Sequence, residues 1–180
     1  LTAYAGEKVA CGATGPRGNN AAASSRPSVS PLAFLRAVGN TGTVNFDAWA
    51  HHPYYGSASE EPDKSPPKPS NGRATTAVTL GNIGSLGKEL KKVFGSPKRI
   101  WITEYGYQTN PPDTKFGVSP ENQAKYLTTS FAIARKNSQI DLMIWFLIRD
   151  EPNLNGWQSG LFYASGLRKP SYAAFQALPH

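Results

Sequence analysis

One glutamate at the end of an apolar segment is the residue of this sequence best suited to chemistry. Glu104 directly follows the apolar residues 99–103, and Tyr105 and Tyr107 come just after it. A carboxylate in such a setting costs several kcal/mol unless it is paired or hydrogen-bonded, and tyrosines and histidines can supply those bonds. Held in this way, it could take part in catalysis. It could equally form a structural ion pair with Arg149 or a histidine, and the residues alone leave both interpretations open.

Polar and aromatic residues also gather where two other apolar segments, residues 46–50 and 141–147, end. Both segments are of strand length, and the functional residues of α/β proteins lie at the carboxyl ends of their parallel strands. We therefore treat these residues as candidates for the same site as Glu104. They are His51, His52, Tyr54, Tyr55, Trp145, Arg149, Asp150 and Glu151.

The sequence predicts no cofactor and no metal site. His51 and His52 could bind a metal ion, but no third ligand has a suitable spacing. The glycine-rich residues 12–18 lack the spacing of a dinucleotide-binding or phosphate-binding loop, so we interpret them as a turn.

The net charge of +7, from 19 Lys and Arg against 12 Asp and Glu, raises the question of an acidic partner. Nucleic acid and acidic polysaccharide are the two classes that a basic protein could bind. The positive residues are scattered, however, and most of the densest group, residues 88–99, lies at the end of a predicted helix, where cations complement the helix dipole. No nucleic-acid-binding motif accompanies them, so no nucleic-acid partner is predicted.

Apolar and cysteine content set further limits. The longest apolar stretch, residues 142–148, is far shorter than the ~20 residues of a membrane-spanning helix, so no membrane association is predicted. The single cysteine, Cys11, excludes an intrachain disulfide framework. No basic segment followed by an apolar one opens the chain, so no signal peptide is visible.

Strand-like and helical patterns alternate along the chain, which predicts an α/β fold with a parallel sheet and right-handed crossovers. The strand-like apolar runs are residues 8–11, 46–50, 99–103 and 141–147. Helical spacing follows each run, at residues 31–38, 80–94, from 119 onward and 170–178. A single domain, residues 1–180, is expected to contain βα units at about residues 7–38, 46–94, 99–136 and 141–178.

Several of these segments resemble the motifs of one enzyme class in order and spacing. The stretch Ile100-Trp-Ile-Thr-Glu-Tyr-Gly106 resembles the seventh-strand motif of retaining glycoside hydrolases of clan A, whose (β/α)8 barrels include families 5 and 39. His52-Pro53-Tyr54 is similar to the sixth-strand pattern of these enzymes. Other similarities are Ile144-Trp145 to the eighth-strand aromatic position, and residues 160–163 and 168–175 to the closing segment.

The resemblance implies half of a TIM barrel. Residues 8–11 align with the fifth strand, so the four βα units correspond to strands five to eight and strands one to four are missing. A complete barrel normally takes about 250 residues. Unpaired strand edges and an open sheet face favour association. The expected partner is therefore either the missing N-terminal half or a second copy of the chain, in a homodimer that completes the barrel.

The resemblance also implies roles for individual residues. Glu104 maps onto the nucleophile of a retaining mechanism, in which two carboxyl groups about 5–5.5 Å apart act as nucleophile and acid/base. His52, with Tyr54 or Tyr107, would hold this carboxylate ionised by hydrogen bonding. Trp145 would stack on the sugar at the cleavage point, because sugar rings have apolar faces. The predicted carbohydrate-binding residues are therefore His52, Tyr54, Tyr107, Trp145, Arg149 and Glu151.

The acid/base of such a mechanism has no counterpart in the chain. In the enzymes that it resembles, this glutamate follows the fourth strand in an Asn-Glu sequence, and no Asn-Glu pair occurs in these 180 residues. Glu151-Pro152-Asn153 imitates the motif, but Asp150 precedes it and it comes after the last predicted strand. We therefore expect Glu151 to be a loop residue of the substrate cleft.

Two functions stay open at this point. The first is hydrolysis of O-glycosidic bonds by a retaining mechanism, as part of a clan A enzyme, with weak or no activity in the isolated chain. The alternative is a catalytically inactive half-barrel that self-associates and binds polysaccharide or oligosaccharide. Secretion is favoured only by the habit of the enzymes that the chain resembles.

Overall fold

Four parallel strands and four helices alternate along the chain in this computed structural model, which describes residues 6–42, 44–70 and 74–179. The strands are β1 (Ala10–Thr14), β2 (Ala48–His51), β3 (Arg99–Tyr105) and β4 (Ile140–Trp145). The helices are α1 (Pro31–Gly39), α2 (Gly84–Phe94), α3 (Pro120–Lys136) and α4 (Pro170–Gln176), with a 3-10 turn at Leu80–Asn82 before α2. The strand order is β1-β2-β3-β4, and every neighbouring pair is parallel. The predicted α/β half-barrel is confirmed.

Two helices begin with the same Ser-Pro signal. Ser30 accepts a hydrogen bond from the backbone N–H of Ala33 at 3.4 Å, and Ser119 accepts one from Asn122 at 3.1 Å. The proline that follows each serine occupies the first helical turn, where its missing N–H costs nothing. These caps fix where the loops after β1 and β3 end. None of the helices in the described part of the chain is long and apolar enough to cross a membrane.

One face of the sheet packs against the helices. In register across the strands, Trp49 lies beside Ile100, and His51 lies beside Ile102, which pairs with Met143. Trp49, His51 and both isoleucines are fully or almost fully buried. The helices contribute the other side of this core, with Leu32, Leu35, Leu86, Leu90 and Leu127.

The opposite face of the sheet is open and apolar. Ala50, Trp101 and Leu142 form a row across β2, β3 and β4 on this face. Leu142 is 37% exposed and Ile144, two residues further along the same strand, is 44% exposed. In a closed barrel this face would lie inside, where side chains of the other strands cover it. The exposed apolar face and the two edge strands are therefore what half of a barrel presents to solvent.

The first and last strands lie slightly away from their expected positions. β1 occupies Ala10–Thr14 and not residues 8–11, because Thr14 pairs with His51 in the parallel ladder. β4 ends at Trp145, two residues earlier than expected. Trp145 is therefore the last residue of β4, and Phe146 begins the loop that follows.

Candidate active site

An irregularity in β3 determines where Glu104 lies. Ile102 pairs with Met143 and Tyr105 pairs with Trp145, so Thr103 and Glu104 together stand opposite a single residue of β4. This is the arrangement of a β-bulge, which re-aims a side chain near a strand end. In a regular strand Glu104 would share the helix-facing side with Ile102. The extra residue instead leaves the carboxylate with Thr103, towards the open face.

Two side chains from the loop after β2 contact the carboxylate. The Tyr54 hydroxyl donates to Glu104 Oε2 at 3.3 Å, and His52 Nδ1 lies 3.5 Å from the same oxygen. The other ring nitrogen of His52, Nε2, lies 2.8 Å from the Thr103 hydroxyl. A tautomer with the proton on Nδ1 satisfies both contacts, because Thr103 can then donate to Nε2. Two of the expected partners of Glu104, His52 and Tyr54, are therefore at the carboxylate.

The protonation state of Tyr54 suits this role. Burial raises the pKa of the Tyr54 hydroxyl, and the negative charge of Glu104 raises it further, so it stays protonated and donates. Both contacts reach Oε2, whereas no described residue bonds to Oε1 of Glu104. The Glu104 side chain is 36% exposed. One carboxylate oxygen is thus held in place, and the other is accessible to a ligand.

His51 lies on the other side of the sheet from His52. Its Nδ1 is 2.8 Å from the Thr14 hydroxyl, and its Nε2 is 3.0 Å from the carbonyl oxygen of Val78. Burial lowers the pKa of His51 to about 4, so the ring is neutral near pH 7 and tethers the loop before α2. Among residues 6–42, 44–70 and 74–179, no group of three or more His, Cys, Asp and Glu side chains could hold a metal ion.

Tyr107 does not lie at the carboxylate, contrary to one of the two expected arrangements. It is fully buried, and its hydroxyl donates to the backbone carbonyl of Glu60 at 2.5 Å. Its ring stacks on Tyr55 at a centroid distance of 4.0 Å. After the bulge, β3 resumes its alternation, which directs Tyr105 into the core, and the loop that follows places Tyr107 there as well. Tyr107 therefore packs the loop between β2 and α2 against the sheet.

Trp145 is also away from the cleft, and strand alternation explains why. Because Met143 faces the helices, Trp145 faces them too, next to Tyr105. It is buried, and its indole N–H donates to the carbonyl of Ser159 at 2.9 Å. The ring of the next residue, Phe146, packs edge-on against the ring of Trp157, with 5.4 Å between the ring centroids. The sequence reasoning therefore chose the residue next to the aromatic side chain that reaches the cleft.

Arg149 and Glu151 lie in the loop that follows β4. Arg149 is exposed, and it forms no ion pair with any residue in the described part of the chain, so the structural ion pair with Glu104 is not present there. The backbone of Glu151 donates to Trp157 O at 3.0 Å and accepts from Gln158 at 3.2 Å. Substrate contacts by these two side chains stay predictions.

A buried lysine that the sequence reasoning missed joins the two loops beside the cleft. Lys169 Nζ donates to Asp150 Oδ1 at 2.8 Å, to the Thr109 hydroxyl at 2.9 Å and to the Gln158 carbonyl at 2.9 Å. The ammonium and the carboxylate are both almost completely buried. Burial lowers the pKa of Lys169, and its bond to Asp150 opposes that shift. The Arg-Lys-Pro sequence before α4 contains this lysine, but nothing in its spacing reveals the partners.

Solved structures that share the fold of this chain include glycoside hydrolases. A family 39 glycoside hydrolase from the gut symbiont Bacteroides cellulosilyticus WH2 matches 81% of the chain with a TM-score of 0.59 and 23% identity. Two complexes of a GH128 (subgroup I) endo-β-1,3-glucanase from Amycolatopsis mediterranei, with laminaritriose and laminaribiose and with laminarihexaose, match 81% of it. Their TM-scores are 0.50 and 0.52, at 21% and 18% identity.

These similarities concern the fold, and the chain matches only part of each solved structure. The chain spans 30% of the family 39 structure and 50% of each endo-glucanase structure. No curated protein matches the chain. The family described as "Family of unknown function (DUF5722)" matches residues 22–179, and the chain belongs to this family.

Proposed function

We propose that this chain forms the nucleophile-bearing half of a glycoside hydrolase, with Glu104 as the nucleophile of a retaining mechanism. The observation that supports this most is the setting of the carboxylate: it lies at the carboxyl end of β3, on the open face, with Tyr54 and His52 on one oxygen only. This is where active sites of α/β barrels lie. The glycoside hydrolase structures that share the fold support the same reaction class.

The proposed reaction begins with attack by Glu104 on a sugar. Oε1 attacks the anomeric carbon, the glycosidic bond breaks, and its electron pair leaves with the departing oxygen, which takes a proton from a general acid. A covalent glycosyl–enzyme ester forms, and water then hydrolyses it with the same residue as general base. The Tyr54 hydroxyl and His52 hold Oε2 in place, so that the oxygen that no described residue contacts faces the sugar.

The general acid would come from outside this half-barrel. No Asn-Glu pair occurs in the sequence, and Glu151 lies in the loop after β4 with its backbone bonded to that loop. An N-terminal half of a barrel, packed on the open face next to Leu142 and Ile144, would supply the second carboxyl group. The chain's share of the solved barrels, 30% to 50%, favours this partner over a second copy.

A second function is carbohydrate binding without turnover. The exposed apolar face and open strand edges favour it, because they predict that the chain self-associates when no other half is present. In this form His52, Tyr54 and Glu104 would contact sugar hydroxyls without cleaving a bond. The two functions differ in one respect that can be measured, the formation of a covalent bond to Glu104.

Aryl glycosides with 2,4-dinitrophenol as the leaving group test the proposed reaction, since dinitrophenolate departs without a general acid. We expect a burst of dinitrophenolate followed by slow release, because deglycosylation lacks its general base. Added azide, which needs no such base, should speed the slow phase.

The matched variants for this test are Glu104→Gln and Glu151→Gln. The first should abolish the burst. The second should keep it at saturating substrate and at most weaken substrate binding, because Glu151 is expected to contact the sugar and not to attack it. A panel of β-glucosides, β-xylosides and β-glucuronides covers the sugars. A burst that survives Glu104→Gln, or that disappears with Glu151→Gln alone, would refute the assignment.

A further inference from the structure

A cavity of about 640 Å³ lies between the loops after β3 and β4, with Tyr54 and Tyr55 of the loop after β2 in its wall. Tyr54 forms part of its wall and also donates to the Glu104 carboxylate, so the two sites share a residue. The volume is within the 300–1,000 Å³ typical of ligand pockets. Apart from Tyr54 and Tyr55, none of the residues that line it was selected from the sequence as a site residue.

Aromatic side chains from two loops line this cavity. Trp157 is 37% exposed, and its ring lies 5.3 Å from that of Tyr54, at an interplanar angle of 32°. Phe116 lines the facing loop. A surface of aromatic rings suits the apolar C–H faces of a sugar, whose polar rim then points to the side.

Polar groups lie at the edge of the same cavity. Asp113 uses Oδ1 to accept bonds from the backbone of Lys115 and Phe116, at 2.8 and 2.9 Å. No described residue donates to its Oδ2. The Gln108 amide is held by a 3.0 Å bond from the backbone of Gln158. A carboxylate oxygen and an amide beside aromatic rings are the groups that bind sugar hydroxyls.

The cavity is pre-organised by buried contacts. Trp157 directly precedes Gln158, whose carbonyl oxygen accepts from the buried Lys169 ammonium and from Thr109. On the other loop, the Tyr55 hydroxyl donates to the carbonyl of Phe116 at 3.0 Å. Both aromatic walls are therefore fixed before a ligand arrives, which lowers the entropic cost of binding.

We propose that this cavity binds a second sugar unit, adjacent to the one at Glu104, and that the chain therefore acts on oligosaccharides in preference to single glycosides. The inference rests on the proposed function for the position of the first sugar, but binding in the cavity does not depend on turnover. Trp157 is the stacking platform, and Asp113 and Gln108 contact the hydroxyls of the bound unit.

Calorimetric titration of the Glu104→Gln chain with glucose and with laminari-, cello- and xylo-oligosaccharides tests this site. In at least one series we expect affinity to rise from the monosaccharide to the longer members. Trp157→Ala should weaken binding of the best oligosaccharide about tenfold or more, in line with the loss of a stacked ring. Trp157→Phe, which keeps a ring, should bind more tightly than Trp157→Ala. Asp113→Asn should weaken oligosaccharide binding less than Trp157→Ala does.

Phe175→Ala is the matched control, because Phe175 is an equally exposed aromatic residue, 39%, on α4 and against Phe131. It should leave oligosaccharide affinity unchanged. Loss of affinity that is equal for Trp157→Ala and Phe175→Ala, or affinity that does not depend on chain length in any series, overturns the inference. If the chain binds oligosaccharides through Trp157 but forms no glycosyl–enzyme, the inference about the cavity holds and the proposed function is wrong. If Glu104 reacts covalently, and Trp157→Ala leaves that reaction unchanged for long and short substrates, the proposed function holds and the inference about the cavity is wrong.

Discussion

The hydroxyl of Tyr54 lies 3.3 Å from Oε2 of Glu104, although the two residues are 50 positions apart in the chain. The parallel pairing of β2 with β3 brings their strand ends together, and the bulge at Thr103 and Glu104 turns the carboxylate towards Tyr54. Tyr54 also stacks on Tyr105 and contacts Trp157. A single tyrosine therefore joins the candidate nucleophile to the cavity beside it.

Tyr54→Phe removes the hydroxyl and keeps the ring. Hydrogen bonds to charged groups contribute about 1.5–3 kcal/mol, and partial exposure of Glu104 places this one at the lower end. We expect the dinitrophenolate burst to become about tenfold slower, with little change in oligosaccharide affinity. Tyr172→Phe, on α4, is the control and should not alter the rate. A burst rate equal to that of the unchanged chain would show that the bond does not assist Glu104.

Local sequence signals were sufficient for the elements but not for every site residue. Alternation of apolar runs with helical spacing predicted the order of strands and helices, because those signals act within a few residues. His52 and Tyr54 could be assigned since they directly follow a strand. Trp145 was expected at the cleft but faces the helices, because alternation along β4 places it on the same side as Met143, and the near-continuous apolar run does not mark which side that is.

The long loops gave the weakest sequence signals. Trp157 and Lys169 lie far from their partners along the chain, and their positions depend on how the loops after β3 and β4 pack together. Tyr107 has the right spacing from Glu104 for a contact, but the preceding turn carries it into the core. Such contacts follow from tertiary packing, which composition and periodicity do not report.

His51 gives the chain a stability that depends on pH. Its pKa is about 4 when folded and about 6.5 when unfolded, so between these values the unfolded chain binds a proton that the folded chain does not. The free energy of unfolding should therefore fall as pH drops from about 6.5 to about 4, by roughly 3 kcal/mol from this residue. Urea unfolding of the chain and of His51→Gln at several pH values measures it. The difference in free energy of unfolding between the two chains should shrink as pH falls. A difference that is constant across this range would contradict the role of neutral, buried His51.

Lys169→Met should destabilise the chain by about 3–5 kcal/mol, because it leaves the buried Asp150 carboxylate without its counter-ion. Adding Asp150→Asn to it should recover part of the loss, since no buried charge then remains. Lys136→Met, at the exposed end of α3, is the control and should change the free energy of unfolding by no more than about 0.5 kcal/mol. If Lys169→Met and Lys136→Met lowered the free energy of unfolding equally, the buried ion pair would not be what joins the two loops.

The open sheet face should make the isolated chain associate. Leu142 and Ile144 are both partly exposed on this face, so Ile144→Lys places a charge where another half-barrel or another copy would pack. Sedimentation velocity over a wide concentration range should show concentration-dependent association of the chain and a shift towards monomer in the variant. Leu167→Lys, which replaces a more exposed leucine in a loop, should not alter association. A chain that stays monomeric at every concentration contradicts this prediction.

The covalent step itself is the most direct test of the central claim. A 2,4-dinitrophenyl 2-deoxy-2-fluoro-β-glycoside needs no general acid to react, and its fluorine slows hydrolysis of the glycosyl–enzyme. After incubation with the chain and digestion with trypsin, mass spectrometry should find one deoxyfluoroglycosyl group on the peptide of residues 100–115, at Glu104. The Glu104→Gln chain should carry none. A label on another carboxylate, or no label with any sugar for which the chain has measurable affinity, would contradict Glu104 as the nucleophile.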